Sequence, residues 1–120
     1  MTDNLIEQKM KKINWLPIPT KEGCSTILFK DILYLEAQKN YTRVYKENPS
    51  EILESSRNLG IYESRLQSTA FLRVHDGFIV NMNKVKKYYN GENAYLVLTN
   101  NITIPVSKSK KSIVLKLLKL

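Results

Sequence analysis

At 120 residues, with 42% apolar and 25% charged residues, the chain is long enough for one domain with its own core. It holds one cysteine and one histidine, which excludes an intramolecular disulfide and a cysteine-based zinc site. The net charge of +8 is unevenly spread: residues 1–63 carry nine Lys/Arg against nine Asp/Glu, and residues 64–120 carry ten against Asp76 and Glu92 alone.

Residues 1–14 read as a lead-in or linker. Leu5, Ile6, Lys9, Met10 and Ile13 have only loose helical spacing. A short helix, a linker and the end of an upstream domain all fit them. From Trp15 the period changes to two, and residues 15–120 form the domain proper. Trp15–Pro19 is an extended segment whose alternate prolines suit an edge strand. A turn at Lys21-Glu22-Gly23 pairs it with a strand over Ser25–Phe29. Cys24 sits beside this apolar run and is expected to be a buried structural thiol. Ile32–Ala37 and Tyr41–Tyr45 are strands joined by a turn at Gln38-Lys39-Asn40, and Ile52–Ser56 is a fifth strand. Asn58 caps a short helix that ends near Leu66, with Leu59, Tyr62 and Leu66 on one face. Strands resume at Phe71–Val74 and Phe78–Val80. A hairpin over Val85–Tyr89 and Ala94–Leu98 turns at Asn90-Gly91, and a strand at Ile102–Val106 follows. Ser107 or Ser109 then caps a last helix, whose Ile113, Val114, Leu117, Leu118 and Leu120 would cover a sheet. The fold class is therefore mainly β: about ten short strands in small stacked antiparallel sheets, one short internal helix and a C-terminal helix.

No catalytic or cofactor-binding motif is present. There is no Gly-x-Ser-x-Gly, no phosphate-cradling loop and no His pair, and four glycines leave no material for a Gly-rich loop. Neither an enzyme nor a cofactor nor a metal is expected. The absence of an apolar leader in the first fifteen residues and of any run near ~18–20 apolar residues points to a cytoplasmic protein. Three segments carry polar groups suited to a polyanion. In the first, Lys39 and Arg43 can neutralise phosphates, while Asn40 and Tyr41 can approach base edges. In the second, His75 and Asp76 stand at a turn, where the histidine fits a bracing role as well as a contact with phosphate or base. In the third, Lys108, Lys110 and Lys111 cluster where a strand becomes a helix. Asn81 suits a backbone contact at a strand end. The same charges also fit a surface kept soluble by lysine.

Asp31-Ile32-Leu33-Tyr34-Leu35-Glu36-Ala37, Asn40-Tyr41-Thr42, Phe71-Leu72-Arg73-Val74-His75 with Phe78-Ile79-Val80-Asn81, and Ile104-Pro105-Val106-Ser107-Lys108, in that order, resemble the LytTR family of bacterial DNA-binding domains. The resemblance covers residues 15–120. It implies about ten strands in small stacked sheets, and three loops on one side that enter successive grooves of double-stranded DNA. Those loops carry Lys39, Asn40, Tyr41 and Arg43; His75 and Asp76; and the start of the last helix with Lys108, Lys110 and Lys111. It further implies a transcription regulator that binds promoter direct repeats, as a monomer in solution pairing on DNA. A receiver domain or a membrane regulator would be the partner that supplies the input. The chain is then a stand-alone regulator or the output half of a longer one. Two positions depart from the family pattern. Asp76-Gly77 stand where a polar or basic residue and then serine are usual, so Asp76 would shape the turn or tune specificity. Lys108 stands where arginine is common, which keeps the charge but loses a bidentate grip on guanine. Two rival readings stay open. One is a protein-interaction module. The other is a single-stranded nucleic-acid binder that stacks bases on Tyr34, Tyr41, Tyr45, Tyr88, Tyr89 and Tyr95, which requires those rings in a row on an open sheet face.

Overall fold

The structure, a computed structural model, describes residues 2–120. Helix α1 (Thr2–Lys12) leads into ten strands: β1 (Trp15–Thr20), β2 (Gly23–Leu28), β3 (Ile32–Gln38), β4 (Tyr41–Lys46) and β5 (Glu51–Ser55), then, after helix α2 (Leu59–Arg65), β6 (Phe71–His75), β7 (Phe78–Asn81), β8 (Val85–Tyr89), β9 (Tyr95–Leu98) and β10 (Thr103–Pro105). Helix α3 (Lys111–Leu118) closes the chain. The strands form three antiparallel sheets, ordered β1-β2, β5-β4-β3-β7-β6 and β10-β9-β8. This is the mainly β, stacked-sheet class that the patterning implies.

The five-stranded sheet is the middle layer, because strand alternation sends neighbouring side chains to opposite faces. Leu35, Val44 and Ile79 point to one face, where Leu16 and Ile18 of β1, Ile27 of β2, and Leu59 and Tyr62 of α2 complete the first core. Tyr34, Val74 and Val80 point to the other, against Leu96, Leu98, Ile104 and Val114. The pairing register shifts between Ile32 and Tyr34. This bulge turns Leu33 and Tyr34 to the second core while Ile32 and Leu35 serve the first, so four consecutive residues are buried. Both faces of its central strands are covered, so the sheet offers to solvent its strand ends and the outer side of β4–β5, where Ile52 and Glu54 are exposed.

Three local expectations are corrected. Cys24 is exposed, because β2 turns only Ile27 inward. Neither Ser107 nor Ser109 caps α3. A 3-10 turn over Lys108–Lys110 intervenes, with the Lys110 amide donating to the Ser107 carbonyl at 3.0 Å, and the two hydroxyls face each other at 3.4 Å. The apolar face of α3 is only half used. Val114 is buried and Leu118 partly so, while Ile113, Leu117 and Leu120 stay exposed, since a two-turn helix can turn only one i, i+4 pair to the sheet. Asn58 behaves as expected: its side-chain oxygen accepts from the Ile61 amide at 3.1 Å.

Candidate nucleic-acid interface

The three polar segments sit on turns whose positions follow from the ladders. β3 ends where β4 begins, Glu36 faces Phe78 of β7, and β6 turns into β7 at Asp76-Gly77. Both turns therefore lie at the same end of the middle sheet. The Ala37 amide joins them by donating to the Gly77 carbonyl at 2.9 Å. The passage into α3 reaches that end as well, because the Ser107 amide donates to the Val74 carbonyl at 2.9 Å. A fourth turn arrives beside them, since the Val106 amide bonds the Ala94 carbonyl and the Lys111 ammonium donates to the Gly91 carbonyl at 2.8 Å. A concave surface over this junction is lined by His75, Glu92, Tyr95, Ser107 and Lys108. With strands ~4.8 Å apart, the rim from β5 to β6 measures about 19 Å.

Side chains at the rim fall into free and engaged groups. Lys39, which has left-handed backbone (φ 47°), and Asn40 are exposed on the β3–β4 turn. Tyr41, Arg43 and Tyr45 share one face of β4, whereas Thr42 and Val44 are buried on the other. Arg43 is 3.4 Å from Glu54 across the sheet, an exposed pair of small energetic weight. Its guanidinium is held more firmly protonated than usual, first by a hydrogen bond with Tyr45. Lys108 is exposed and Lys110 half-buried, and neither has an ion-pair partner among the described residues. Lys111 is partly spent on the Gly91 carbonyl.

His75 does brace its turn. Its Nδ1 accepts from the Gly77 amide at 3.0 Å, which leaves Nε2 as the donor of the neutral ring. Asn81, at the far end of β7, donates to the Phe29 and Ile32 carbonyls at 3.1 and 2.9 Å and accepts from the Asn83 amide. Lys84 also lies at that far end, paired with Glu47.

Two residues of the rim escape sequence patterning. Thr42 faces Ser55 across the β4–β5 ladder, which sets Arg57 level with Asn40 beside the first turn. The buried Thr42 hydroxyl fixes it there by donating to the Arg57 carbonyl at 2.8 Å. The Arg57 side chain is exposed and has no ion-pair partner among the described residues. Only the count of residues across the β4–β5 hairpin could have found it. Arg73 donates to Glu63 at 2.9 Å and to the Asp76 carbonyl at 2.6 Å, so it clamps the His75–Asp76 turn to α2. The tyrosines do not form an open row: Tyr34 is buried and stacks on Tyr45 at 4.2 Å, while Tyr89 stacks on Tyr95 in the other sheet. That removes the platform the single-strand reading required.

The family profile of the LytTr DNA-binding domain matches residues 22–119, which includes every one of these turns. The chain belongs to the LytTr DNA-binding domain family. A solved LytTr DNA-binding domain of a putative methyl-accepting/DNA response regulator from Bacillus cereus superposes with a TM-score of 0.75 at 30% identity, covering 90% of this chain and 99% of that one. The transcriptional regulatory protein YpdB of Escherichia coli K12 is 33% identical over 85 residues, 67% of this chain and 33% of YpdB. The transcriptional regulatory protein LytR of Staphylococcus aureus is 27% identical over 96 residues, 78% of this chain and 38% of LytR. The chain thus spans little more than a third of the length of these regulators. The LytTr family is a DNA-binding one and not a class of enzymes. Among the described residues no helix is long and apolar enough to cross a membrane.

Proposed function

We propose that this domain binds double-stranded DNA sequence-specifically as the output of a bacterial transcription regulator. The observation that carries the reading is the convergence of the Lys39–Asn40, His75–Asp76 and Ser107–Lys108 turns at one end of the middle sheet, tied by the Ala37–Gly77 and Ser107–Val74 hydrogen bonds. Lys39, Arg43, Arg57, Lys108, Lys110 and Lys111 supply phosphate contacts, hence affinity and its dependence on salt. Asn40, Tyr41 and the Nε2 donor of His75 supply register and base readout. The longest extent of the domain is 44 Å, not much beyond one DNA turn of about 34–36 Å. One copy therefore serves one element, and direct repeats engage two copies side by side. Residues 1–14 act as the lead-in from whatever carries the input, a receiver domain or a membrane regulator.

The reading is tested by a gel shift of the 120-residue chain on promoter fragments with repeated short elements, titrated in salt. Lys108→Ala and Arg57→Ala are each expected to weaken binding and lower the magnitude of the salt slope by about one unit. Slopes equal to wild type remove those residues from the interface. Binding indifferent to sequence at moderate salt favours a protein-interaction module instead.

A further inference from the structure

We infer that Asp76 is a specificity-determining acceptor, whose carboxylate takes a hydrogen bond from the exocyclic amino group of a G·C pair. This rests on the duplex-DNA reading above. Asp76 is one of only two acids in residues 64–120, against ten cations, and it stands exposed at the tip of the β6–β7 turn on the rim itself. Among the described residues its carboxylate has no ion pair and no hydrogen bond. Arg73 reaches the turn but does not neutralise it. One guanidinium nitrogen holds the Asp76 backbone carbonyl at 2.6 Å, and the other holds Glu63 at 2.9 Å. The turn is also pinned by the Gly77 amide on His75 Nδ1 at 3.0 Å and by the Ala37 amide on the Gly77 carbonyl at 2.9 Å. A bare anion is therefore presented from a rigid mount on an otherwise cationic edge.

Against a duplex this anion is repelled by phosphates and, being acceptor-only when ionised, gains only from base donors. The duplex offers three. Adenine N6 carries an acceptor, N7, beside it, which opposes a carboxylate. Thymine O4 flanks adenine N6 on its other side, whereas cytosine N4 in the major groove has an acceptor, guanine O6, on one side only. Guanine N2 in the minor groove lies between guanine N3 and cytosine O2, so cytosine N4 costs the carboxylate least, and either amino group reports a G·C pair. The other acid, Glu92, lines the concave surface with His75 and Lys108 and likewise has no ion pair among the described residues, but it lies outside the β6–β7 turn.

Selection from randomised duplexes with wild type, Asp76→Ala and Asp76→Asn tests the proposal. Wild type is expected to fix a G·C pair at one position. Asp76→Ala should lose that preference alone, by about 5- to 150-fold, and keep the other positions. The isosteric Asp76→Asn guards against a folding artefact, and it should admit A·T there if the major groove is read, since an amide matches adenine N6 and N7. Inosine in place of the guanine removes only the minor-groove amino group. Weakened binding of wild type but not of Asp76→Ala then assigns guanine N2, and unchanged binding assigns cytosine N4. Tighter binding of Asp76→Ala to every selected site, with all preferences intact, overturns the proposal and leaves Asp76 as a charge modulator. A wild-type chain that recovers no preferred duplex overturns the DNA reading and this inference together.

Discussion

Asn81 shows how one side chain can hold two elements. It is 2% exposed, and its amide serves two carbonyls of the passage into β3 while its oxygen caps the 3-10 turn that follows β7. Asn81→Ala removes all three bonds; the Phe29 carbonyl keeps the Ile32 amide and Asn83 is exposed, so the buried Ile32 carbonyl bears most of the cost, at about 1–3 kcal/mol for a group left unsatisfied. A loss of that size is expected by urea unfolding, with the rim still formed in what remains folded, because Asn81 lies at the opposite end of β7. Arg73 acts at the other end of the same hairpin. Its Nε is buried without a partner, so the side chain is held by its two terminal nitrogens alone. Arg73→Met keeps the packed stem but frees the Asp76 turn. It should blur base discrimination more than it lowers overall affinity, a split that selection and salt titration together resolve.

Helix α2 has only seven residues, too few to persist alone, and it depends on its cap and its buried face. Asn58→Ala should cost about 1 kcal/mol in chemical denaturation. Tyr62 anchors the helix, with its hydroxyl 2.5 Å from Ser55 Oγ, which in turn accepts from the Arg57 amide. Burial raises the Tyr62 phenol above its ordinary value, opposed by the Ser55 hydrogen bond and the charges of Arg57 and Arg65. Burial raises Tyr34 further, helped by Tyr45 and Glu36. Both folded phenols keep their protons at a pH where the unfolded chain releases them. Their contribution is therefore complete below about pH 10 and is lost as the pH rises beyond it. The urea midpoint should fall between pH 10 and 11, and Tyr62→Phe should make that fall shallower.

At the scale of the molecule, the two cores cover both faces of the central strands of the middle sheet, and one of its ends gathers four turns. If two copies bind direct repeats on one side of the DNA, then half a turn inserted between the repeats, about 5 bp, should reduce affinity sharply. A full turn should restore much of it. Equal binding at every spacing would mean that the copies bind independently.

The strands were legible because their alternation needs no tertiary information: Leu35 and Val44 toward one face against Tyr34 and Tyr45 toward the other announce a sheet by themselves. The turns were legible through Lys39-Asn40, Asp76-Gly77 and Asn90-Gly91, and the family through the order of its motifs. Caps and burial were less secure, as Ser107, Cys24 and Ile113 show, because a 3-10 turn or a change of helix face is decided by what packs opposite. Arg57 and Arg73 belong to the rim only through pairings to distant strands and helices. Local patterning thus determined which segments bend and which charges they carry. Only the closing of three sheets around two cores decided that those bends share one edge, since hydrogen-bond register between strands far apart in the chain is a property of the folded whole.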